Sequence, residues 1–283
     1  MNVLKYLTII CAVATSSLVL AAGASYPLDK APDLSNDKVA LQHGAKLFVN
    51  YCLNCHSANS MRYNRLKDIG LTEEQIKQNL LFSADKVGET MKVSIQSKDA
   101  KEWFGVVPPD LSVIARAKSS HSGTGADYIY TYLRTYYRDD SKPTGWNNLA
   151  YAGSAMPHVL WDLQPARSLE KTEIAHITGK DGKHTGFEKI VTTFDAAGKA
   201  TPVKAPLDNF GGHTQTTYQF VNTDVKGQQQ YDKDVASITA FMQYMADPSA
   251  STRQAMGVWV LVFLGLFIIA AYLLNREYWK DIK

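Results

Sequence analysis

Cysteine is scarce in this sequence, with three residues in a chain of 283. Cys11 lies inside an apolar N-terminal stretch, so the rest of the chain holds only Cys52 and Cys55. A disulfide between these two would close so short a loop that it adds little stability. The sequence is therefore not that of a disulfide-stabilised scaffold, and the cysteine pair needs another explanation.

The chain also lacks a marked excess of either charge. Its formal net charge is +3, and no basic cluster, internal repeat or low-complexity segment stands out. Binding to nucleic acid normally leaves a concentrated basic patch, which is missing here. With 45% hydrophobic residues, the sequence predicts a folded protein with a sizeable core.

The N-terminal residues have the three-part pattern of a secretory signal. Lys5 precedes an apolar run to Leu20, which is followed by the small residues 21–24. This pattern predicts a signal peptide over residues 1–24, cleaved after Ala22 or Ala24. An uncleaved N-terminal anchor is the alternative, and either interpretation sends the following domain across a membrane.

A second apolar stretch, residues 255–274, has no charged residue and about the length that a membrane-spanning helix needs. Aromatic residues suited to the interface flank it, and cations follow it at Arg276, Lys280 and Lys283. We therefore expect a single-pass protein of the bacterial cytoplasmic (inner) membrane. Residues 25–250 would form a periplasmic domain and 275–283 a cytoplasmic tail.

Helical periodicity dominates the first part of the exported domain. A helix capped by Ser35 or Asn36 is expected to deliver Cys52 to the core side. Residues 71–94 and the aromatic-rich segment 125–140 also favour helix, and Asp110 or Ser112 is expected to cap a helical turn.

The region 141–230 is rich in glycine, proline and polar residues and has poor periodicity. Within it, residues 187–203 favour two strands joined by a turn at 195–198. Helix returns over 231–248, with one apolar stripe at Val235, Ile238, Met242 and Met245. The prediction is a mainly α domain with a long irregular insertion at residues 164–230, before its last helix.

The motif "YCLNCHS" places Cys52, Cys55 and His56 at positions i, i+3 and i+4 of a helical turn. Three side chains at that spacing project to one face. A porphyrin can use them together, because its two vinyl groups form thioethers with the thiols while the imidazole reaches the iron. Cys-x-x-Cys-His is the attachment signature of c-type haem.

Two other chemistries use a cysteine pair. A thioredoxin-like redox pair usually follows a strand in a βαβ unit, whereas here a helix leads in. A structural zinc site needs four ligands, but no second Cys or His pair exists and the later histidines are scattered. Haem is the favoured interpretation.

The sixth position of the iron is assigned by elimination among the methionines, since electron carriers of this kind often use a thioether. Met156 lies in the irregular loop "YAGSAMPHVLW", where Gly153 allows close approach and Pro157 stiffens the chain. Met91, in a predicted helix, and His158 are the alternatives.

Four segments resemble, in this order, the cytochrome c1 family, the haem subunit of the cytochrome bc1 complex: "NYCLNCHSANSMRYNRL", "PPDLSVIARA", "GSAMPHVLW" and the C-terminal stretch from Asp234. The resemblance covers most of the chain from about Ser35 and is weakest over 164–230. It implies a class I cytochrome c-like haem domain.

By the same resemblance, Cys52 and Cys55 form thioethers to one haem c, and His56 and Met156 are the axial iron ligands. The segment from Pro108 to Ser112, including Pro109, lies along the haem.

Tyr63 matches a tyrosine of the family's haem pocket. Asn64 stands where the family often has an arginine that pairs a haem propionate, and Arg116, Arg62 or Arg65 could substitute.

The resemblance further implies an electron relay. The protein would receive electrons from a Rieske iron–sulfur protein and pass them to a soluble or tethered cytochrome c. It would act inside a ubiquinol–cytochrome c oxidoreductase that also contains cytochrome b, with no independent catalysis. Two alternatives remain: the electron-entry haem subunit of another membrane oxidase or reductase, and a haem sensor.

Overall fold

A computed structural model describes residues 26–178, 184–208 and 210–281 of the chain. The predicted signal peptide, with Cys11, lies outside the described residues, as do the last two residues of the predicted tail, Ile282 and Lys283.

Seven α-helices form within the described ranges. They are α1 (Lys38–Leu47), α2 (Glu73–Asn79), α3 (Ser97–Phe104), α4 (Ile114–Ala117), α5 (Gly125–Arg134), α6 (Val225–Ala246) and α7 (Ala250–Tyr278).

Eight strands form three antiparallel sheets in the same ranges. A two-stranded sheet pairs β1 (Ala58–Arg62) with β2 (Thr90–Met91), and a second pairs β3 (Tyr136–Arg138) with β4 (Trp146–Asn148). The third sheet has the order β7-β6-β5-β8, with β5 (Arg167–Thr178), β6 (His184–Phe194), β7 (Ala200–Leu207) and β8 (Gln215–Asn222).

Helix α1 leads into the cysteine motif, as predicted, but begins later than expected. The Asp37 side chain caps it by accepting from the backbone N–H groups of Val39 and Ala40, so Ser35 and Asn36 lie outside the helix. A short π-helical turn, Phe48–Cys52, continues from its end. Cys52 is buried, which confirms that this helix delivers it to the core side.

The core forms where α1 crosses α6. The predicted stripe of α6 is confirmed, because Val235, Ile238, Met242 and Met245 are all buried. Phe48 packs against Phe241 with ring centroids 5.5 Å apart.

A glycine lets the two helices approach closely. A Cβ placed on Gly44 would lie 2.0 Å from the backbone oxygen of Ser237. The crossing therefore requires glycine at this position.

The helix predicted over 71–94 is wrong beyond its first two turns. A capping box between Thr72 and Gln75 starts α2, which ends at Asn79. The chain then turns back, and β2 pairs with β1 so that Met91 faces Ala58. Burial of Met91 in this sheet overrides the local helical tendency of its charged neighbours.

Two further boundaries differ from expectation. Helix α5 ends at Arg134, and the remainder of the segment predicted as helix becomes β3, because Tyr136 to Arg138 pair with Asn148 to Trp146. Helix α4 begins at Ile114 without a side-chain cap, so Asp110 and Ser112 do not cap it.

Over its described residues, the insertion forms regular strands rather than an irregular chain. Its strands form the four-stranded antiparallel sheet, and the predicted turn at Asp195–Gly198 is confirmed as the β6–β7 connection. Among the sheet residues whose burial the structure describes, only Leu169 is fully buried, so apolar alternation along the strands is weak. The mainly α prediction is therefore matched only in part, because seven helices form in the described chain but this sheet adds four long strands.

Helix α7 is continuous over 29 residues and has no buried residue in the described chain. Its most apolar window has a mean hydropathy of 2.6. This is the length and composition of a single-pass membrane anchor.

Candidate functional site

Cys52 ends the π-helical turn, and the chain makes one further turn from it to Cys55 and His56. The backbone N–H groups of Cys55 and His56 both donate to the carbonyl oxygen of Cys52, at 3.1 and 2.9 Å. Neither cysteine is in a disulfide; Cys52 is buried and Cys55 is half-buried. The turn therefore presents two free thiols and one imidazole from adjacent positions.

The thiols are poorly suited to disulfide exchange. Burial raises the pKa of Cys52 to about 12, with a further contribution from Cys55. Burial also raises the pKa of Cys55. Because the thiolate is the reactive form, this environment disfavours the thiol redox interpretation.

A multi-ligand metal site is not formed either. Over the ranges that the structure describes, no group of three or more His, Cys, Asp or Glu residues is placed to hold a metal ion. Four-coordinate zinc would need such a group.

The imidazole of His56 is oriented by a backbone carbonyl. Its Nδ1 lies 2.7 Å from the oxygen of Pro109. A carbonyl only accepts hydrogen bonds, so Nδ1 carries the proton and Nε2 keeps its lone pair. Burial lowers the pKa of His56, which favours the neutral ring. Nε2 is thus prepared to coordinate a metal, as second-shell hydrogen bonds do in metalloproteins.

The Pro-Pro-Asp-Leu-Ser segment is clamped to the chain just after His56. Leu111 N–H donates to the Ser57 carbonyl at 2.8 Å, and Asn59 N–H donates to Asp110 Oδ2 at 2.8 Å. Ser112 Oγ accepts from Ser60 N–H at 3.0 Å. The side chains expected to cap a helix therefore fix the position of the Pro109 carbonyl instead.

An apolar surface adjoins this segment. Val106 and Val107, directly before Pro108, are 48% and 47% exposed, and Trp103 is 68% exposed. Val107 lies two residues before Pro109, whose carbonyl contacts His56, so an apolar surface next to this imidazole is available to a flat apolar group and the residues present fit haem.

The loop that carries Met156 is held by a network of hydroxyl groups. Tyr136 OH donates to the Met156 carbonyl oxygen at 2.9 Å and contacts Tyr132 OH at 2.6 Å. Tyr132 OH lies 2.7 Å from Ser154 Oγ. Met156 itself is half-buried and packs against the core that contains Cys52. Sequence reasoning missed both tyrosines, although the aromatic-rich segment was the available signal.

The two alternative ligands are engaged elsewhere. Met91 is fully buried in the β1–β2 sheet. His158 is buried, stacks on Tyr136 at a centroid distance of 4.8 Å, and contacts Gln164 Oε1 through Nε2 at 3.0 Å. These contacts favour packing roles for both.

The three residues expected in the haem pocket, Tyr63, Pro109 and Arg116, lie in different surroundings. Pro109 contacts His56 directly, and Tyr63 is buried in the core with its hydroxyl 2.9 Å from Ser83 Oγ. Arg116 is exposed on α4, and its charge acts on Asp247 at the end of α6.

Of the other propionate candidates, Arg65 pairs with Asp68 at 2.7 Å, and Arg62 donates to the Gly88 carbonyl. Both guanidinium groups are therefore already engaged within the chain.

Comparison with known proteins identifies the family of this chain. The profile of the Cytochrome C1 family matches residues 30–168 and 214–282, and most of the inserted sheet falls in the gap. The ammonia monooxygenase gamma subunit of Nitrosomonas europaea is 40% identical over 262 residues, covering 93% of this chain and 92% of that protein.

A cytochrome c1 of Allochromatium vinosum is 38% identical over 266 residues, covering 93% of both chains. A cytochrome b/c1 of Bradyrhizobium diazoefficiens is 23% identical over 270 residues, covering 87% of this chain and 34% of that longer protein. The family match spans most of the sequence on both sides of the insertion, and the chain belongs to the cytochrome c1 family, in which haem c is the cofactor.

Proposed function

We propose that this protein binds one haem c through thioethers from Cys52 and Cys55, with His56 and Met156 as axial ligands, and works as an electron relay. It accepts electrons from a Rieske iron–sulfur protein and passes them to a c-type cytochrome within a bc1-type complex. One relative is named an ammonia monooxygenase gamma subunit; that activity belongs to the relative and is not part of this proposal.

The hydrogen bond from His56 to Pro109 carries the proposal. It fixes the tautomer that leaves Nε2 free, one residue away from a thiol on the same helical turn. A redox thiol pair would be activated by a protonated imidazole, whereas burial lowers the pKa of His56 and favours the neutral ring.

When bound, haem supplies one-electron exchange at its iron. The residues of the chain do the rest. His56 and Met156 would hold the iron of the group between them, so that no position would stay open for oxygen or peroxide. Cys52 and Cys55 prevent loss of the group, and the Asp110 and Ser112 contacts keep the histidine in place.

Helix α7 keeps the relay beside its membrane partners. A tether raises the effective concentration of a partner without strong contacts. Arg276 and Lys280 at the end of α7 favour a cytoplasmic C-terminus, which puts the haem domain in the periplasm. Cytochrome b is the expected partner. The relative from Bradyrhizobium diazoefficiens, which is named cytochrome b/c1, supports this expectation.

The test begins with the full-length protein purified from membranes. Acid–acetone extraction should leave the haem on the protein, and a pyridine haemochrome spectrum should show two saturated vinyl groups. Changing both Cys52 and Cys55 to Ala should release it. Extractable haem in the unmodified protein would overturn the proposal.

Purification under mild detergent separates the alternatives. Co-purification of a cytochrome b and a Rieske protein supports the relay. Recovery with a different oxidase or reductase would favour another complex, and rapid carbon monoxide binding by the reduced native protein would indicate a sensor.

A further inference from the structure

A cavity of about 370 Å³ lies where the inserted sheet meets the rest of the exported domain. Strands β3 and β4, the segment leading into β5 and the β6–β7 turn all contribute to it. The residues that matter here are Arg138, Trp146, Trp161, Gln164, Arg167 and Ala196. The proposed haem ligands and thiols do not line it, and its volume is in the range of small-ligand sites.

The walls carry hydrogen-bond donors that lack acceptors. In the part of the chain that the structure describes, Gln164 Nε2 and Arg167 Nε are buried and have no hydrogen-bond partner. The Arg138 guanidinium lies 4.0 Å above the Trp146 ring, with no hydrogen bond or ion pair to any described residue. Buried donors are normally paired, so the two unpaired buried ones, together with the half-buried Arg138 guanidinium at the same cavity, indicate a missing acceptor.

Among the described residues, Arg167 forms no ion pair with a carboxylate, since the nearby Asp232 pairs with Arg134. One of its terminal nitrogens donates to the carbonyl oxygens of Arg134 and Tyr136, at 2.6 and 2.8 Å, and its guanidinium packs on Phe220. Burial lowers its pKa to about 10. A buried unpaired charge is unfavourable, and an anion in the cavity would offset it.

The nearby carboxylates do not fill this role. Asp232 already accepts two hydrogen bonds from Arg134, the shorter at 2.7 Å. Asp162 lines the cavity, but its Oδ2 accepts from Tyr51 OH at 2.8 Å. Donors and positive charge therefore exceed acceptors and negative charge inside the cavity.

We propose that this cavity binds a small organic anion. Its carboxylate or phosphate group contacts Arg138, Arg167 and Gln164, and its apolar body packs against Trp146 and Trp161. A planar guanidinium suits either oxyanion, and the indole rings give flat apolar walls.

The experiment uses the full-length protein with its haem in detergent, titrated in a calorimeter with citrate, inorganic phosphate and benzoate in turn. We expect saturable one-site binding of at least one probe. Arg138→Gln should weaken it about tenfold, the size of one lost charge-assisted contact. Lys189→Gln, at an exposed position on β6, removes a positive charge as the matched control and should change the dissociation constant less than twofold.

A second variant distinguishes loss of binding from loss of folding. Ala196→Trp fills the cavity from an exposed turn and should abolish binding while the melting temperature and haem spectrum stay unchanged. Absence of saturable binding by all three probes would mean that water alone occupies the cavity. If Lys189→Gln weakens binding as much as Arg138→Gln does, the Arg138→Gln effect reflects only general charge attraction. Either result overturns the proposal.

Discussion

The Nδ1 atom of His56 donates a hydrogen bond of 2.7 Å to the carbonyl oxygen of Pro109, 53 residues further along the chain. The acceptor belongs to the backbone, so its position depends on whatever fixes the Pro109 segment. The side chains of Asp110 and Ser112 do this by accepting from the backbone just after the histidine.

Asp110→Ala should loosen this clamp. Asp110 accepts from Asn59 N–H at Oδ2 and from Ser112 N–H at Oδ1, each at 2.8 Å. Losing both bonds should lower the free energy of unfolding by about 1–3 kcal/mol and shift the haem midpoint potential. Denaturant titration and redox titration measure the two effects. Asp85→Ala, at an exposed position, is the control; equal behaviour of both variants would refute the clamp.

Met156→Leu should remove the thioether-to-ferric charge-transfer absorption and lower the midpoint potential, because a thioether favours ferrous iron. Met91→Leu is the matched control, since Met91 is fully buried in the β1–β2 sheet and its variant should keep the band. Survival of the band in Met156→Leu, or its loss only in Met91→Leu, would redirect the axial assignment.

Tyr136→Phe should free the Met156 loop. The variant keeps the ring that stacks on His158 but loses the hydroxyl that donates to the Met156 carbonyl. We expect about 1–2 kcal/mol lower stability and a weaker charge-transfer band. Tyr137→Phe, one residue along β3, removes a hydroxyl with no hydrogen-bond partner among the described residues and should leave the band intact. A full band in Tyr136→Phe would show that the hydroxyl does not position the loop.

Gly44→Ala should destabilise the protein where α1 crosses α6. The added Cβ would meet the Ser237 carbonyl oxygen at 2.0 Å and the Phe241 Cβ at 2.9 Å, and backbone cannot move aside cheaply. Overpacking of this kind costs about 1–3 kcal/mol. Gly88→Ala, with nothing within 4 Å of the new Cβ, should be near neutral in thermal unfolding. Similar melting temperatures for both would contradict the close crossing.

Acid should weaken the contact between α5 and the N-terminal segment, in which Asp127 accepts a hydrogen bond from Ala31 N–H. Burial alone would raise the pKa of Asp127, but hydrogen bonds from Ala31 and Thr124 outweigh it and hold that pKa below its usual value. Its stabilising contribution is therefore present above the unfolded value of about 3.9 and is lost as pH falls through the lower folded value.

Denaturant unfolding at pH 6 and at successive acid steps measures this contribution. Asp127→Asn should be less stable than the unmodified protein at pH 6, and the difference should shrink as the pH falls. Asp85→Asn is the control on an exposed carboxylate. A constant difference at every pH would exclude the proposed linkage.

Much of the site could be predicted from local sequence. The spacing of Cys52, Cys55 and His56 on a helical turn is a short-range property, so it needs no tertiary information. The apolar stripe of α6 and the apolar helix α7 could also be predicted from the sequence, because hydrophobic periodicity and length encode them directly.

Long-range pairing decided the rest. Met91 lies in a strand because its segment pairs with β1. The insertion forms a sheet through backbone hydrogen bonds, which require little hydrophobic alternation in the sequence. The contacts of His56 with Pro109 and of Tyr136 with Met156 join distant segments. Sequence alone thus predicted which groups would carry the chemistry, whereas only the tertiary structure decided what orients them, because such contacts depend on how the whole chain packs.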